Sequence, residues 1–220
     1  MSLPHSSPSL REPEPRWQAL IALVAVGGLY VALPEYLTIG PRWLFPTVVA
    51  ALMVPLVISH RVGAHRLNVV LGVTATSVVM AAMIGSLALL VAALPSHKES
   101  PTALLLSATV LWFTNILIFA LWYWRFDAGG PHRRDARVDH ETGSFLFPQM
   151  TMRPGREATG QRGWSPHFVD YLFLAFNTST AFSPSDTPVL TRWAKIMMML
   201  QSLISLTVLA ILAARAVNML

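Results

Sequence analysis

The sequence predicts an all-α integral membrane protein with four transmembrane helices, then a short pore-helix-like hairpin and a final transmembrane helix. Hydrophobic residues make up 54% of the 220 residues and charged residues only 12%, and the mean hydropathy is +0.52. A soluble domain normally carries about 25% charged residues. Apolar stretches of about 20 residues, the length that a bilayer crossing requires, recur along the chain. We therefore expect a multi-pass protein of the cell membrane.

The excess of basic residues is interpreted as loops beside anionic lipid. The formal net charge is +5 and the isoelectric point is about 10.2. In membrane proteins, Lys and Arg accumulate in cytoplasmic loops next to anionic lipids. The expected partner is therefore the lipid bilayer and not a nucleic acid. The chain has no cysteine, which excludes disulfides, thiol catalysis and Cys-based zinc sites.

The amino-terminal third predicts a tail followed by two spans. Residues 1–16 are polar and rich in Pro and Ser, which indicates a disordered tail. The apolar run 17–33 lacks a clean small-residue cleavage site after it, so we expect it to be retained as the first span. The second predicted span, residues 44–59, is short and carries Pro46 and Pro55. A re-entrant course is the alternative for this segment.

Two longer stretches complete the predicted four-helix transmembrane region, residues 17–124. The third span, residues 67–94, exceeds the length of a crossing and should tilt or extend beyond the bilayer. The fourth span, residues 102–124, carries Asn115 near its middle, and we expect this amide to bond another helix rather than a ligand. Tryptophans at or near the predicted span ends indicate an aromatic belt: Trp17, Trp43, Trp122, Trp124, Trp164 and Trp193.

Residues 125–164 form a large polar loop that is rich in Arg. Asp127 and the sequence Gly129, Gly130, Pro131 predict a helix stop followed by a turn. Residues 145–147 are apolar within this polar loop. We interpret them as a hydrophobic anchor of a surface loop, and docking against the hairpin that follows is the alternative.

The residues predict neither a metal site nor an enzyme, and no cofactor is expected. The histidines show no HExxH spacing, and the sequence contains neither a Gly-rich phosphate loop nor a nucleophile elbow. His60 and His65 lie in a basic turn without a carboxylate nearby, so we interpret them as anchors of helix ends. An acidic group in the long loop is expected to be solvated rather than to bind a cation: Asp135, Asp139, His140 and Glu141.

The region 165–220 combines a half-length apolar run with a full span. Residues 168–176 are too few to cross a bilayer, and they run into a polar, proline-containing turn at 177–188. An apolar helix follows from about residue 194 to residue 214. Irregular backbone is tolerated in a membrane only where protein buries it or where it lines a water-filled cavity. The pattern predicts a re-entrant hairpin beside a pore, and the alternative is a surface helix before an ordinary last span.

Asp170 is the carboxylate of most interest at the start of this region. Ionisable groups at the edge of the membrane are functional candidates by default. A cap on the short helix is the alternative interpretation of Asp170.

The turn resembles the selectivity filter of the two-helix potassium-channel pore family, in which a pore helix and a Thr-rich turn lead into Thr-Val-Gly-Tyr-Gly-Asp and an inner helix. Thr178, Thr180 and Asp186 stand at matching positions, and Pro188 and Arg192 resemble the continuation. The resemblance covers about the last quarter of the chain, with residues 102–124 in place of the outer helix. It implies a homo-oligomer, four subunits by analogy, and a monovalent cation as the conducted species.

The turn departs from that family at three positions. Ser183 and Ser185 stand where the family has its two glycines, and Pro184 stands where it has tyrosine. Glycine permits backbone angles that cost other residues about 1 kcal/mol or more, and proline lacks the backbone N–H. A standard ladder of backbone carbonyls is therefore not expected. The whole chain also resembles uncharacterised bacterial membrane-protein families with the same layout, which implies an architecture and no activity.

Two hypotheses about function follow. In the first, subunits assemble around an axis as a cation-conducting pore, and the turn forms an atypical Ser/Thr-rich filter. Its hydroxyls, its carbonyls and a ring of Asp186 carboxylates would favour cations. In the second, a non-conducting scaffold or regulatory subunit uses the same turn only to pack helices. The filter-like residues are Thr178, Ser179, Thr180, Ala181, Phe182, Ser183, Pro184, Ser185 and Asp186.

The distribution of charge favours an internal amino terminus. With five spans and a hairpin that enters from the cytoplasm, 13 of the 16 Lys and Arg residues lie inside, and Arg42, Lys98 and Arg215 lie outside. The resemblance points the other way, because hairpins of potassium channels enter from the outside. A full crossing by residues 168–182 would instead give six spans with both termini inside.

Overall fold

Seven α-helices account for most of the residues that the computed structural model describes, which are 14–94, 100–136, 143–151, 164–180 and 186–217. An isolated antiparallel bridge joins Phe145 to Val189, and no other strand-like pairing occurs in these residues. The prediction of an all-α protein is confirmed. The helices are α1 (Trp17–Val31), α2 (Leu44–Arg61), α3 (His65–Ala93), α4 (Pro101–Phe126), α5 (Pro131–Asp135), α6 (Phe168–Thr180) and α7 (Arg192–Val217).

Four helices are long and apolar enough to cross a membrane. They are α2, α3, α4 together with the short 3₁₀ turn that ends at Gly129, and the part of α7 that ends at Ala214. Helix α1 is apolar but has only 15 residues, about 22 Å of length. The predicted first span is therefore shorter than expected, because the residue before Pro34 is disfavoured in a helix. Helix α2 is continuous through Pro55.

The ends of α4 follow local signals in the sequence. At its start, Pro101 occupies the first turn and the Ser100 hydroxyl accepts a hydrogen bond from the backbone N–H of Ala103 at 3.2 Å. At its end, Asp127 leaves the helical conformation and Gly130 adopts a φ of +88°. The predicted helix stop and turn are confirmed. This turn directs the chain into α5.

Helix α4 lies at the centre of the described bundle. It packs against α1, α3, α6 and α7, and 67% of its most apolar stretch is buried, compared with 22–39% for the other three long helices. A helix that packs against neighbours around most of its circumference is apolar around most of it, as α4 is from Leu104 to Trp124, although Leu106 and Phe113 remain exposed. The predicted role of Asn115 is also confirmed, since its amide donates to the Ser205 hydroxyl on α7 at 2.8 Å.

Contacts between helix ends bring several connections to one end of the bundle. The Asn68 amide at the start of α3 donates to the Leu56 carbonyl near the end of α2 at 2.8 Å. Arg16, just before α1, forms a 2.6 Å ion pair with Asp135 on α5. We call this end the basic end, because it holds the following described residues: Arg16, Arg61, Arg66, Arg125, Arg133, Arg134, Arg192 and Lys195. The opposite end includes the α1–α2 connection, where the Tyr30 and Phe45 rings stack at 4.0 Å.

Candidate functional site

Helix α6 begins at the basic end. Its first turn is closed by Asp170, whose carboxylate accepts a hydrogen bond from the His167 backbone N–H at 2.7 Å. In return, the Asp170 N–H donates to the His167 carbonyl at 3.0 Å. The bond from the His167 N–H to the Asp170 carboxylate is one half of a helix-capping box, and the second bond is a backbone turn of the first helical residues. The capping interpretation of Asp170 is therefore the one that the contacts support.

Helix α6 runs antiparallel to α4 and ends near the middle of α4. Near its start, the Phe168 ring lies 6.0 Å from the Trp124 ring, and eight residues later the Phe176 ring lies 6.0 Å from the Trp112 ring. Its 13 residues span about 20 Å, roughly half of the 26-residue α4. Helix α6 therefore reaches about half the depth of the bundle.

Helix α7 also begins at the basic end and runs in the same direction as α6. The Trp193 ring at its start lies 5.8 Å from the Phe126 ring at the end of α4. Further along, the Ser202 hydroxyl lies 3.4 Å from the Thr178 carbonyl near the end of α6. Because both helices start at one end and point the same way, the chain between Thr180 and Arg192 must return to the basic end.

The far end of this returning segment is held by the long polar loop. The Leu146 N–H donates to the Pro188 carbonyl at 2.9 Å, and the Leu190 N–H donates to the Ser144 carbonyl at 2.8 Å. The Phe145 and Phe147 side chains are buried at 0% and 4% exposure. Phe145 and Phe147 are therefore packed inside the protein, against α6, α7 and residues 188–190, and do not anchor a surface loop. The aromatic rings of α6 and α7 supply the surface that buries them.

A buried amide on α7 joins the three helices of the site. The Gln201 amide nitrogen donates to the Ser179 hydroxyl at 2.8 Å and to the Ala175 carbonyl at 2.7 Å, both on α6. Its oxygen accepts a hydrogen bond from the Tyr123 hydroxyl on α4 at 2.6 Å. Gln201 is fully buried, and its amide nitrogen and its amide oxygen are both hydrogen-bonded within the protein. This residue was not among those predicted from the sequence, although a lone Gln in an apolar stretch is a signal of such a contact.

The structure places the filter-like residues in different surroundings. The hydroxyls of Thr178 and Thr180 donate to carbonyls one turn earlier in α6, at 2.8 and 3.0 Å. Ser179 is buried beside Gln201, whereas Thr180 and Asp186 are exposed. The remaining predicted residues lie outside the described part of the chain: Ala181, Phe182, Ser183, Pro184 and Ser185.

A second polar cluster fixes the start of α6 to the end of α4. The Asp127 carboxylate accepts hydrogen bonds from the Tyr171 hydroxyl at 2.7 Å and from the Ser144 backbone N–H. The Arg134 guanidinium donates to the Asp127 carbonyl at 3.0 Å and to the Glu14 carboxylate at 2.8 Å. These side chains are buried. A buried charge is tolerated when it is paired or well hydrogen-bonded. The Glu14 carboxylate is paired with Arg134, and the Asp127 carboxylate is hydrogen-bonded by the Tyr171 hydroxyl and the Ser144 N–H.

Three histidines pack together beside the basic end. The His132 ring lies 4.5 Å from the His65 ring and 5.8 Å from the His60 ring. Burial, together with the positive charge of Arg16, lowers the pKa of His132 from 6.5 to about 4. Among the described residues, no group of three or more His, Asp or Glu side chains has the arrangement of a metal site. Of the loop residues that were expected to be solvated rather than to bind a cation, Asp139, His140 and Glu141 lie outside the described part of the chain, and Asp135 is paired with Arg16 at 2.6 Å.

Comparison of the chain with family models, with curated proteins and with solved structures gives no match.

Proposed function

We propose that the protein is a membrane protein that oligomerises around the α6–α7 hairpin and conducts cations, with residues 178–186 at the constriction. The observation that carries this proposal is the shared direction of α6 and α7. Both begin at the basic end, so the chain between them enters the bundle and returns. A half-length helix, a returning segment and a full-length helix are the parts of a re-entrant pore hairpin.

The depth at which α6 ends supports the same proposal. With α4 across the bilayer, the end of α6 lies near the middle of the membrane. The last four carbonyls of a helix lack partners within the helix, and they form the negative end of its dipole. A water-filled path beside Thr180 would satisfy these carbonyls and would favour a cation. Lipid would offer them no partner, and each unpaired carbonyl would cost several kcal/mol. The carbonyl oxygens of Asn177 and Thr178 lie 3.4 Å from the Thr180 and Ser202 hydroxyls, respectively.

The outer surface of the hairpin offers a face for further copies of the chain. It is apolar, with exposed side chains that include Phe173, Ile196, Met199, Leu203 and Leu206. Exposed hydroxyl groups of Thr180 and Ser202 lie among them. Symmetric packing of this face would bring the returning segments of several subunits around one axis. The Asp186 side chains would then form a ring of negative charge at the mouth.

The basic end sets the orientation that we propose. Basic connections favour the cytoplasmic side, and the starts of α6 and α7 lie at that end. The hairpin would therefore enter from the cytoplasm, opposite to the hairpin of the potassium-channel family. This orientation reconciles the charge distribution with a re-entrant segment.

A non-conducting scaffold is the second candidate, and one observation favours it. The hydroxyls of Thr178, Ser179 and Thr180 are all engaged in hydrogen bonds within the chain, and that of Ser179 is bonded to Gln201. These contacts hold helices together and need no ion. In this function, the hairpin would only stabilise the bundle and present its apolar face to a partner.

Ion flux through liposomes containing the purified protein separates the two candidates. We expect cation flux from the wild type and a several-fold loss of flux or cation selectivity in Asp186→Asn. The matched control is Glu35→Gln, which removes an exposed carboxylate at the opposite end of the bundle. No flux from the wild type would favour the scaffold. If Asp186→Asn and Thr180→Ala both kept the flux and selectivity of the wild type, residues 178–186 would not line the pore.

The absence of cysteine permits a direct test of the re-entrant course, because each introduced cysteine is unique. Single variants Arg133→Cys, Asp186→Cys and Arg42→Cys are labelled in oriented vesicles with a thiol reagent that does not cross membranes. We expect Arg133→Cys and Asp186→Cys to react from the same side and Arg42→Cys from the other. Labelling of Asp186→Cys together with Arg42→Cys would show that α6 leads across the membrane.

A further inference from the structure

A cavity of about 260 Å³ lies between the first four helices at the basic end, away from the α6–α7 hairpin. One part of its wall is basic and the other part is apolar. The basic part is formed by Arg16, His60, Arg61 and Arg125. The apolar part is formed by side chains of α1, α2 and α4: Leu20, Leu23, Leu56, Val57 and Leu121.

Arg125 is the residue of this cavity whose charge lacks a counter-ion among the described residues. Its guanidinium lies across Gly72 on α3, so closely that a Cβ atom added to Gly72 would fall 1.8 Å from Nη1. Its Nε is buried without a hydrogen-bond partner. Its one favourable polar contact among the described residues is with the face of the Trp124 ring, 5.5 Å away. A largely buried cation without a counter-ion costs several kcal/mol.

No carboxylate in the described part of the cavity wall balances this charge. Asp135 on α5 is already paired at 2.6 Å with Arg16, which lines the cavity. The other described ion pairs also exclude Arg125, since they join Arg134 to Glu14 and Arg42 to Glu35. The cavity therefore has an excess of positive charge that an anion would neutralise.

The side chains of the cavity wall indicate which kind of anion would bind there. A guanidinium matches the geometry of a phosphate group and binds it through two parallel hydrogen bonds. The apolar side of the wall excludes water and suits a hydrocarbon chain. Basic pockets between transmembrane helices on the cytoplasmic side are the places where anionic headgroups bind. The described wall therefore combines a guanidinium that can bind phosphate with an apolar surface that can hold a hydrocarbon chain.

We propose that this cavity binds the phosphate group of an anionic amphiphile, with the phosphate against Arg125 and the hydrocarbon chain along Leu20, Leu23 and Val57. The phosphate is supplied either by a membrane phospholipid or by free phosphate in the cytoplasm, and the apolar wall favours the phospholipid. The bound anion pairs the buried guanidinium and ties α1, α3 and α4 together. This site is independent of ion conduction.

The test measures the melting temperature of the full chain in neutral detergent against increasing ligand concentration. The probes are a short-chain phosphatidylglycerol, a phosphatidylcholine of the same chain length, and inorganic phosphate. We expect a saturable rise with phosphatidylglycerol at a concentration at least tenfold lower than with phosphatidylcholine. Inorganic phosphate that acts at the same concentration as phosphatidylglycerol identifies free phosphate as the ligand. No saturable rise with either anion overturns the proposal.

Variants at Arg125 separate binding from packing. We expect Arg125→Met to lose at least tenfold in affinity for the anion and to melt no lower than the wild type without ligand, because it removes an unpaired buried charge. Arg125→Lys keeps the charge but lacks the planar fork and should bind more weakly than the wild type. Arg133→Gln, which removes an exposed charge at the same end, should bind as the wild type does. Wild-type affinity in Arg125→Met would refute the site.

Discussion

The Gln201 side chain on α7 donates a hydrogen bond to the Ser179 hydroxyl on α6 over 2.8 Å, in the interior of the bundle. The same amide group reaches the Ala175 carbonyl and the Tyr123 hydroxyl. A single side chain on α7 therefore joins α6 and the central helix α4. The position of α6 depends on this one amide as well as on apolar packing.

Replacement of this amide should destabilise the protein. Gln201→Leu has a similar volume but leaves the Tyr123 hydroxyl without its acceptor and the Ser179 hydroxyl without its donor. Unpaired buried polar groups cost about 1–3 kcal/mol each in soluble proteins, and interhelical hydrogen bonds in membranes contribute less. We expect a loss of about 2 kcal/mol in the free energy of unfolding, measured by SDS titration in mixed micelles. Ser202→Ala, at an exposed neighbouring position, is the control and should change it by less than about 0.5 kcal/mol.

The buried ion pair between Glu14 and Arg134 should contribute far more to stability than an exposed pair. The Glu14 and Arg134 side chains are 4% and 1% exposed. Glu14→Gln leaves the Arg134 charge without its partner inside the protein, and we expect a cost of about 3–5 kcal/mol. Glu35→Gln breaks the exposed pair with Arg42, which is screened by water, and should cost less than about 1 kcal/mol. Equal unfolding free energies for the two variants in the same SDS titration would contradict this account.

Two glycines with positive φ should respond differently to alanine. A Cβ atom at Gly130 would lie 2.7 Å from the Arg125 carbonyl oxygen, whereas Gly63 has open space around it. Both substitutions force a side chain into a backbone conformation that costs about 1–2 kcal/mol. Gly130→Ala adds the clash with the backbone and should lose about 3 kcal/mol or more, because it moves α5 and Arg134. Thermal unfolding of both variants tests this difference. If Gly130→Ala lost no more stability than Gly63→Ala, the turn at Gly130 would have to adjust without cost.

Local sequence signals predict most of the helices of this protein. Apolar runs between Pro and Gly residues gave predicted bounds that differ from the observed ones by a few residues, as for α3 and α4. The length of α1 was overestimated, because hydropathy continues to residue 33 whereas the helix ends at Val31, ahead of Pro34. Hydropathy reports which residues avoid water and does not report where the backbone turns.

The contacts of the candidate site depend on tertiary packing and could not be predicted in the same way. The hydrogen bonds of Gln201 could not be predicted from local patterns, because 22 residues separate it from Ser179 and 78 separate it from Tyr123. The docking of Phe145 depends on a bridge to Val189, which no local pattern indicates. A short apolar run before a polar turn is a local signal, and it predicted a short helix over 168–176. Helix α6 continues to Thr180, so residues 177–180 of the predicted turn are helical. Its direction relative to α7 required the structure.

The His132 side chain should make stability depend on pH in the acidic range. Burial, followed by the positive charge of Arg16 and the neighbouring His65 and His60, lowers its pKa from 6.5 to about 4, although Asp135 acts in the opposite direction. The Arg16 guanidinium also lies 3.0 Å from Nδ1 of His132, where a neutral ring accepts a hydrogen bond from it, and Nε2–H of the same ring donates to the Asn68 amide oxygen at 3.1 Å. Between about pH 6.5 and 4 the unfolded chain therefore binds a proton that the folded protein excludes, and stability falls as the pH decreases.

This pH dependence is measured as the melting temperature in detergent at several pH values from 7.5 to about 4, for the wild type and for His132→Asn. The asparagine retains a polar group that can accept a hydrogen bond from Arg16 but does not titrate. We expect the melting temperature of the wild type to fall further than that of the variant between about pH 6.5 and 4. Above about pH 7, where the histidine is neutral in both the folded and the unfolded chain, the difference between the two melting temperatures should not change with pH. Parallel curves for the two proteins would show that His132 is protonated as readily in the folded bundle as in the unfolded chain. The three-histidine cluster would then have to open below pH 6.5, because an imidazolium cannot accept a hydrogen bond from Arg16.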